Sequence, residues 1–122
     1  MDSTSEYCYK YPHPAVAADN LVFKFDSKKL QILLIKRKND PFKDCWALPG
    51  GFVNIDETTI NAAKRELLEE TNIKTQNIYH LGVYDDVNRD PRERVISVAY
   101  YCFVQKDVKP KALDDAKDFR WY

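Results

Sequence analysis

The run Ala62-Ala63-Lys64-Arg65-Glu66-Leu67-Leu68-Glu69-Glu70 constrains this chain more than any other segment. Every residue in it is a good helix former, and Asp56 or Thr58 just upstream can cap the first turn. At about 100° per residue, Ile60, Ala63, Leu67 and Leu68 make one apolar stripe that asks for a core. Glu66, Glu69 and Glu70 fall in an arc beside that stripe, because positions three and four apart are neighbours on a helix. Like charges held that close repel one another and cost the helix stability. A hard divalent cation such as Mg²⁺ relieves the repulsion, since it takes oxygen ligands and keeps several waters. The plain alternative is a solvated acidic face, with Arg65 pairing Glu69 and Lys74 pairing Glu70.

The upstream register separates these readings. Trp46-Ala47-Leu48-Pro49-Gly50-Gly51-Phe52 predicts a short strand and a Gly-Gly turn before the helix, and Glu57 follows Gly51 at a fixed interval. Residues 51–73 as a whole place Gly51, Glu57, Arg65, Glu66, Glu69 and Glu70 on a pattern that resembles the box of the Nudix (MutT-like) hydrolase family, G-x5-E-x7-R-E-U-x-E-E-x-G-U with U aliphatic. One fixed position departs: Asn72 stands where the last glycine is usual. That position ends the helix in the left-handed region, where asparagine is the accepted substitute for glycine.

The resemblance implies an α/β fold, an α/β/α sandwich with a mixed central sheet, here expected without its C-terminal helix. It also implies metal-dependent hydrolysis of a nucleoside diphosphate derivative. Carried over by position, Glu66 and Glu70 would ligate Mg²⁺ (or Mn²⁺), with Glu69 ligating directly or through water and the Gly50 carbonyl as a further ligand. Arg65 would orient the glutamates, and Glu57 would be a water-mediated ligand or a base. The general base can also lie outside the box, and Asp115 is the candidate; a solvated loop acid is the alternative. The run from Val87 to Tyr101 resembles the ADP-ribose pyrophosphatase group, as do Leu34-Ile35-Lys36-Arg37 and Trp46-Ala47-Leu48-Pro49. The expected reaction is ADP-ribose to AMP and ribose 5-phosphate. Arg37, Arg89 and Arg94 are candidates for phosphate or ribose contacts, since a guanidinium matches phosphate geometry. Trp46, Tyr84 and Phe42 are candidates for stacking adenine. A non-catalytic ADP-ribose sensor of a transcriptional regulator and a hydrolase of nucleoside triphosphates are the alternatives.

The rest of the chain bounds the setting. With 122 residues and 44% hydrophobic content it suits one domain with one core, residues 1–122. Lysine plus arginine equals aspartate plus glutamate at 19 each, which suggests no nucleic-acid or membrane surface. No apolar run approaches about 18 residues and no signal pattern opens the chain, so a cytoplasmic protein is expected. Cys8, Cys45 and Cys102 are too few and too scattered for a disulfide framework or zinc site. Strands are expected over 15–25, 30–37, around Trp46, over 78–87 and 95–105 as a hairpin, and from Phe119. Residues 1–14 read as an extended arm. Tyr7, Tyr9 and Tyr11 alternate there as in an exchanged edge strand, and a symmetric homodimer is expected.

Overall fold

The computed structural model describes residues 6–122. Strand β1 (Ala15–Asp26) is the spine, and it changes partner along one edge. Its first half pairs antiparallel with β4 (Gly50–Phe52) at residues 17–19, and its last residues, 23–26, pair with β2 (Lys29–Arg37). Along its other edge it runs parallel to β6 (Val95–Val104) from Ala15 to Lys24. β5 (Tyr79–Tyr84) closes that side as the expected hairpin. β3 (Trp46–Ala47) and β7 (Ala116–Trp121) flank β2. Because β1 is shared between β4 and β2, the sheet splays there, and a cleft opens between its two wings.

Helix α1 (Thr59–Thr71) covers one face. Thr58 caps it by accepting from the Asn61 amide, so of the two cap candidates the later one serves. Asn72 ends it with φ 61° and ψ 18°, and its N–H donates to the Leu68 carbonyl, as expected of the residue in the glycine position. Ala62, Ala63 and Leu67 pack on Ala18, Val22, Tyr100 and Cys102. Burying a side chain such as Leu67 contributes roughly 1.5–3 kcal/mol. Asn20 lies fully inside this interface and donates to the carbonyls of Pro49 and Ala63, at 3.2 and 3.0 Å, tying the strand to the helix. Burial pushes the Cys102 thiol up to about 11, which fits an inert core residue.

Several expectations are corrected. The Gly-Gly segment is a strand, not a turn, because its backbone bonds β1. Leu68, counted in the apolar stripe, is 42% exposed; it lies at the stripe's edge beyond the sheet's reach. β5 is shorter than the expected 78–87, since Asp85 to Arg94 form the hairpin loop. Apart from these corrections, residues 6–14 form no strand within their own chain, and Tyr9 meets His13 edge-on. Residues 1–5 of the arm lie outside the described residues.

The α/β layering with a mixed sheet and a single helix is as expected. Opposite α1, the β1–β6–β5 wing presents Phe23, Phe103, Tyr101 and Tyr79 as a chain of touching rings. Phe103 is 62% exposed and Tyr79 is 51% exposed, so no helix covers this face among the described residues.

Candidate active site

Two glycines bring the helix carboxylates against the sheet. The Gly50 N–H donates to Glu70 Oε1 at 2.8 Å. A Cβ on Gly51 would lie 2.7 Å from Glu66 Oε1, and one on Gly50 would lie 2.4 Å from the Ala18 carbonyl oxygen. At Gly50 the obstacle is backbone, so only a residue without a side chain fits; at Gly51 a side chain would push the Glu66 carboxylate aside.

Arg65 organises the acids behind this contact. Its guanidinium grips Glu57 from Nε and a terminal nitrogen, the shorter bond being 2.7 Å. It also donates to Glu66 Oε1 at 2.7 Å, Glu69 Oε2 at 3.2 Å and the Phe52 carbonyl at 3.1 Å. Arg65 holds the Glu57 carboxyl below its ordinary value, with the Asn54 amide helping. Glu66 and Glu70 move the other way. Burial pushes Glu66 up despite Arg65. Glu70 is 4% exposed, and burial raises it to about 8, with Glu66, Asp115 and Asp114 adding repulsion that the Gly50 amide only partly offsets.

These carboxylates face a cleft of about 470 Å³ between the wings of the sheet. Of the residues expected at a site, Gly50, Glu66, Glu70, Arg37, Arg89 and Asp115 line it. Asp115 arrives because the loop before β7 docks on the end of α1. Lys111 and Leu113 donate to the Thr71 and Glu70 carbonyls, satisfying groups the helix leaves open. Glu57, Arg65 and Glu69 stand behind the cleft, and Glu69 is turned outward onto Arg65.

Trp46 and Arg94 do not line the cleft. Trp46 pairs with Lys36, and both point away from Ile35, Arg37 and Ala47, which line it; the indole stacks between Lys36 and Arg120 instead. Arg94 is spent on the hairpin, donating to the carbonyls of Asp85 and Asp86. Tyr84 and Phe42 are likewise absent from the wall. In their place stand Asp19 and Arg92, which sequence reading passed over. Arg92 pairs with Asp90 at 2.6 Å and lies over the Phe52 ring. That pairing holds the Asp90 carboxyl down at about 2. Asp19 accepts from the Ser97 hydroxyl, and burial pushes its carboxyl up against the opposing pull of Ser97 and Arg89. A charged residue interrupting the apolar run of β1 was the available signal.

Glu66 and Glu70 form an incompletely compensated pair facing a cleft lined by arginines. Two carboxylates, with Glu69 turned away, match the demand of Mg²⁺, which takes one or two carboxylates together with waters and substrate phosphates. The donor set fits a hard divalent cation.

The NUDIX domain family matches residues 13–122, and the chain belongs to that family. Among its relatives is the ADP-ribose pyrophosphatase of Methanocaldococcus jannaschii, 49% identical over 112 residues, or 92% of this chain and 63% of that protein. The ADPR responsive transcriptional repressor NtrR of Acinetobacter baylyi is 34% identical over 113 residues, or 91% of this chain and 45% of the repressor. The chain therefore spans less than two thirds of these relatives. The NUDIX domain of Shewanella oneidensis NrtR, solved with ADP ribose, superposes with a TM-score of 0.83 at 26% identity, over 92% of this chain and 74% of that one. Among the described residues, no helix is long and apolar enough to cross a membrane.

Proposed function

We propose that this chain hydrolyses ADP-ribose to AMP and ribose 5-phosphate with Mg²⁺, or Mn²⁺ in its place. The carrying observation is the pair of half-buried Glu66 and buried Glu70, set against Gly50 and Gly51 at the mouth of an arginine-lined cleft. Likeness to an ADP-ribose pyrophosphatase at 49% identity supports the substrate. Glu66, Glu70 and the Gly50 carbonyl would hold the cation, while Glu69 stays outside on Arg65. When bound, it neutralises the diphosphate and lowers the pKa of a coordinated water.

The chain's own residues supply the rest. Arg65 fixes the rotamer of Glu66 by a charge-assisted hydrogen bond and neutralises part of the acidic cluster. Arg37, Arg89 and Arg92 on the cleft wall hold phosphate oxygens. Asp115 takes the proton as a water oxygen bonds to phosphorus and the bridging P–O bond breaks. Glu57 is a poor base, because Arg65 occupies it and keeps it ionised with low affinity for a proton.

A panel of nucleoside diphosphate derivatives and nucleoside triphosphates, assayed with Mg²⁺ and with chelator, tests this reading. ADP-ribose is expected to give the highest kcat/KM, with AMP and ribose 5-phosphate as products and no turnover in chelator. Comparable kcat/KM for a deoxynucleoside triphosphate would remove the substrate assignment. The likeness to an ADP-ribose-responsive repressor favours a second reading, a sensor that binds ADP-ribose without cleaving it. Tight binding with no turnover in Mg²⁺ would select it, although the intact Glu57, Arg65, Glu66 and Glu70 constellation favours catalysis.

A further inference from the structure

Asp19 is a carboxylate that, with Asn20, interrupts the apolar run Ala15–Phe23 of β1, and joining strands does not require it. β1 and β6 already run in register from Ala15 to Lys24, so the sheet at this point is held by its backbone. A small apolar residue there would avoid the desolvation that a half-buried charge suffers. Its side chain shares a face with Ala17, and both line the cleft together with Val95. The Ser97 hydroxyl, on a residue only 3% exposed, donates to Oδ2 and fixes the carboxylate. Oδ1 lies beside Gly50 and accepts no hydrogen bond among the described residues. Arg89 shares the cleft wall and attracts Asp19, yet the two form no ion pair, which leaves space between them.

We propose that Asp19, held by Ser97, is a specificity-determining residue: it accepts a hydrogen bond from an uncharged donor of the substrate and repels a further phosphate. A carboxylate offers only acceptors, so its complement is a hydroxyl or an amine, and a phosphate oxygen placed there meets like charge. ADP-ribose carries such donors as the hydroxyls of its terminal ribose and the amine of adenine. A nucleoside triphosphate keeps its base but has a charged phosphate where ADP-ribose has its terminal ribose, so the repulsion acts at that end of the ligand. Selection thus combines an attraction for the right ligand with a repulsion of the wrong one. This inference rests on the hydrolase reading above and refines its substrate choice.

The test compares wild type, Asp19→Asn and Ser97→Ala. The substrates are ADP-ribose, a deoxynucleoside triphosphate, and ADP-ribose analogues lacking either the adenine amine or the terminal ribose hydroxyls. Asp19→Asn is expected to lower kcat/KM for ADP-ribose roughly 10- to 100-fold, mainly through KM, the range expected for one charged hydrogen bond. It should raise kcat/KM for the triphosphate, while Ser97→Ala moves both in the same directions by less. The analogue that lacks the contacted donor should be poor for wild type and lose nothing further in Asp19→Asn, which tells a ribose hydroxyl from an adenine amine. An unchanged ratio of ADP-ribose to triphosphate in an active wild-type background would overturn the role of Asp19 alone. Absence of all turnover by wild type would overturn the hydrolase reading and this one together. If Asp19→Asn does not fold, an unchanged ratio in Ser97→Ala overturns the proposal, because the pair would then serve folding only.

Discussion

Glu70 concentrates the conflict between stability and chemistry in a single side chain. Its carboxyl in the folded chain titrates near 8 against an ordinary 4.5, so without metal the folded form holds the proton more tightly than the unfolded form does. The stability this gives is complete below about pH 4.5 and is lost as pH rises through about 8. Glu70→Gln removes the charge while keeping the shape. Thermal melts of metal-free protein between about pH 6 and 9 should show wild type losing stability relative to the mutant, and saturating Mg²⁺ should restore it. Activity should move the opposite way. Loss of a metal ligand costs about 3–5 kcal/mol at the transition state, or roughly 10²–10⁴ in rate. A mutant retaining more than about a tenth of wild-type turnover would disprove the ligand role.

At the scale of elements, α1 is specified at both ends by local chemistry. Thr58 closes its first turn and Asn72 its last, in a backbone conformation that only glycine and a few short polar residues adopt readily. Chemical denaturation should find Asn72→Gly more stable by a few tenths of a kcal/mol and Asn72→Ala less stable by about 1 kcal/mol. Neither change should alter kcat, since Asn72, two residues beyond Glu70, does not line the cleft. The strand Gly50–Phe52 is a different case. Two adjacent glycines read as a turn by propensity, yet they pair with β1, where a side chain on Gly50 would strike the Ala18 backbone and one on Gly51 would displace the Glu66 carboxylate. Long-range contact overrode local preference.

For the molecule as a whole, the aromatic face that no described residue covers is an open apolar surface. Phe23, Tyr101, Phe103 and Tyr79 touch in series, and Phe25 beyond them is 64% exposed. Soluble monomers seldom leave such a patch uncovered. The tyrosines of the arm are exposed as well, at 47%, 52% and 68% for Tyr7, Tyr9 and Tyr11. From these surfaces we predict a symmetric dimer in which the arm contacts the partner chain. Light scattering should report a dimer for the chain of residues 1–122 and a smaller species for a chain beginning at Ala15. A monomer from residues 1–122, or an unchanged dimer without the arm, would reject arm exchange.

What the sequence determined by itself was local. Helix α1, its caps, the spacing of Glu66, Glu69 and Glu70, and the reach of Arg65 to Glu69 all follow from 3.6 residues per turn and from side chains a few positions apart. The family was legible for the same reason, since its pattern is carried by one contiguous segment. Which carboxylates face inward was decided only by the tertiary structure. Glu66 and Glu70 turn toward β4, while Glu69, equally acidic, is left outside on Arg65. The same holds for the cleft wall. Trp46 fell on the wrong face of β3 and Arg94 was consumed by a hairpin, whereas Asp19 and Arg92 came in from distant parts of the chain. Strand pairing between residues tens of positions apart sets which side chains share a face. No local pattern encodes that register.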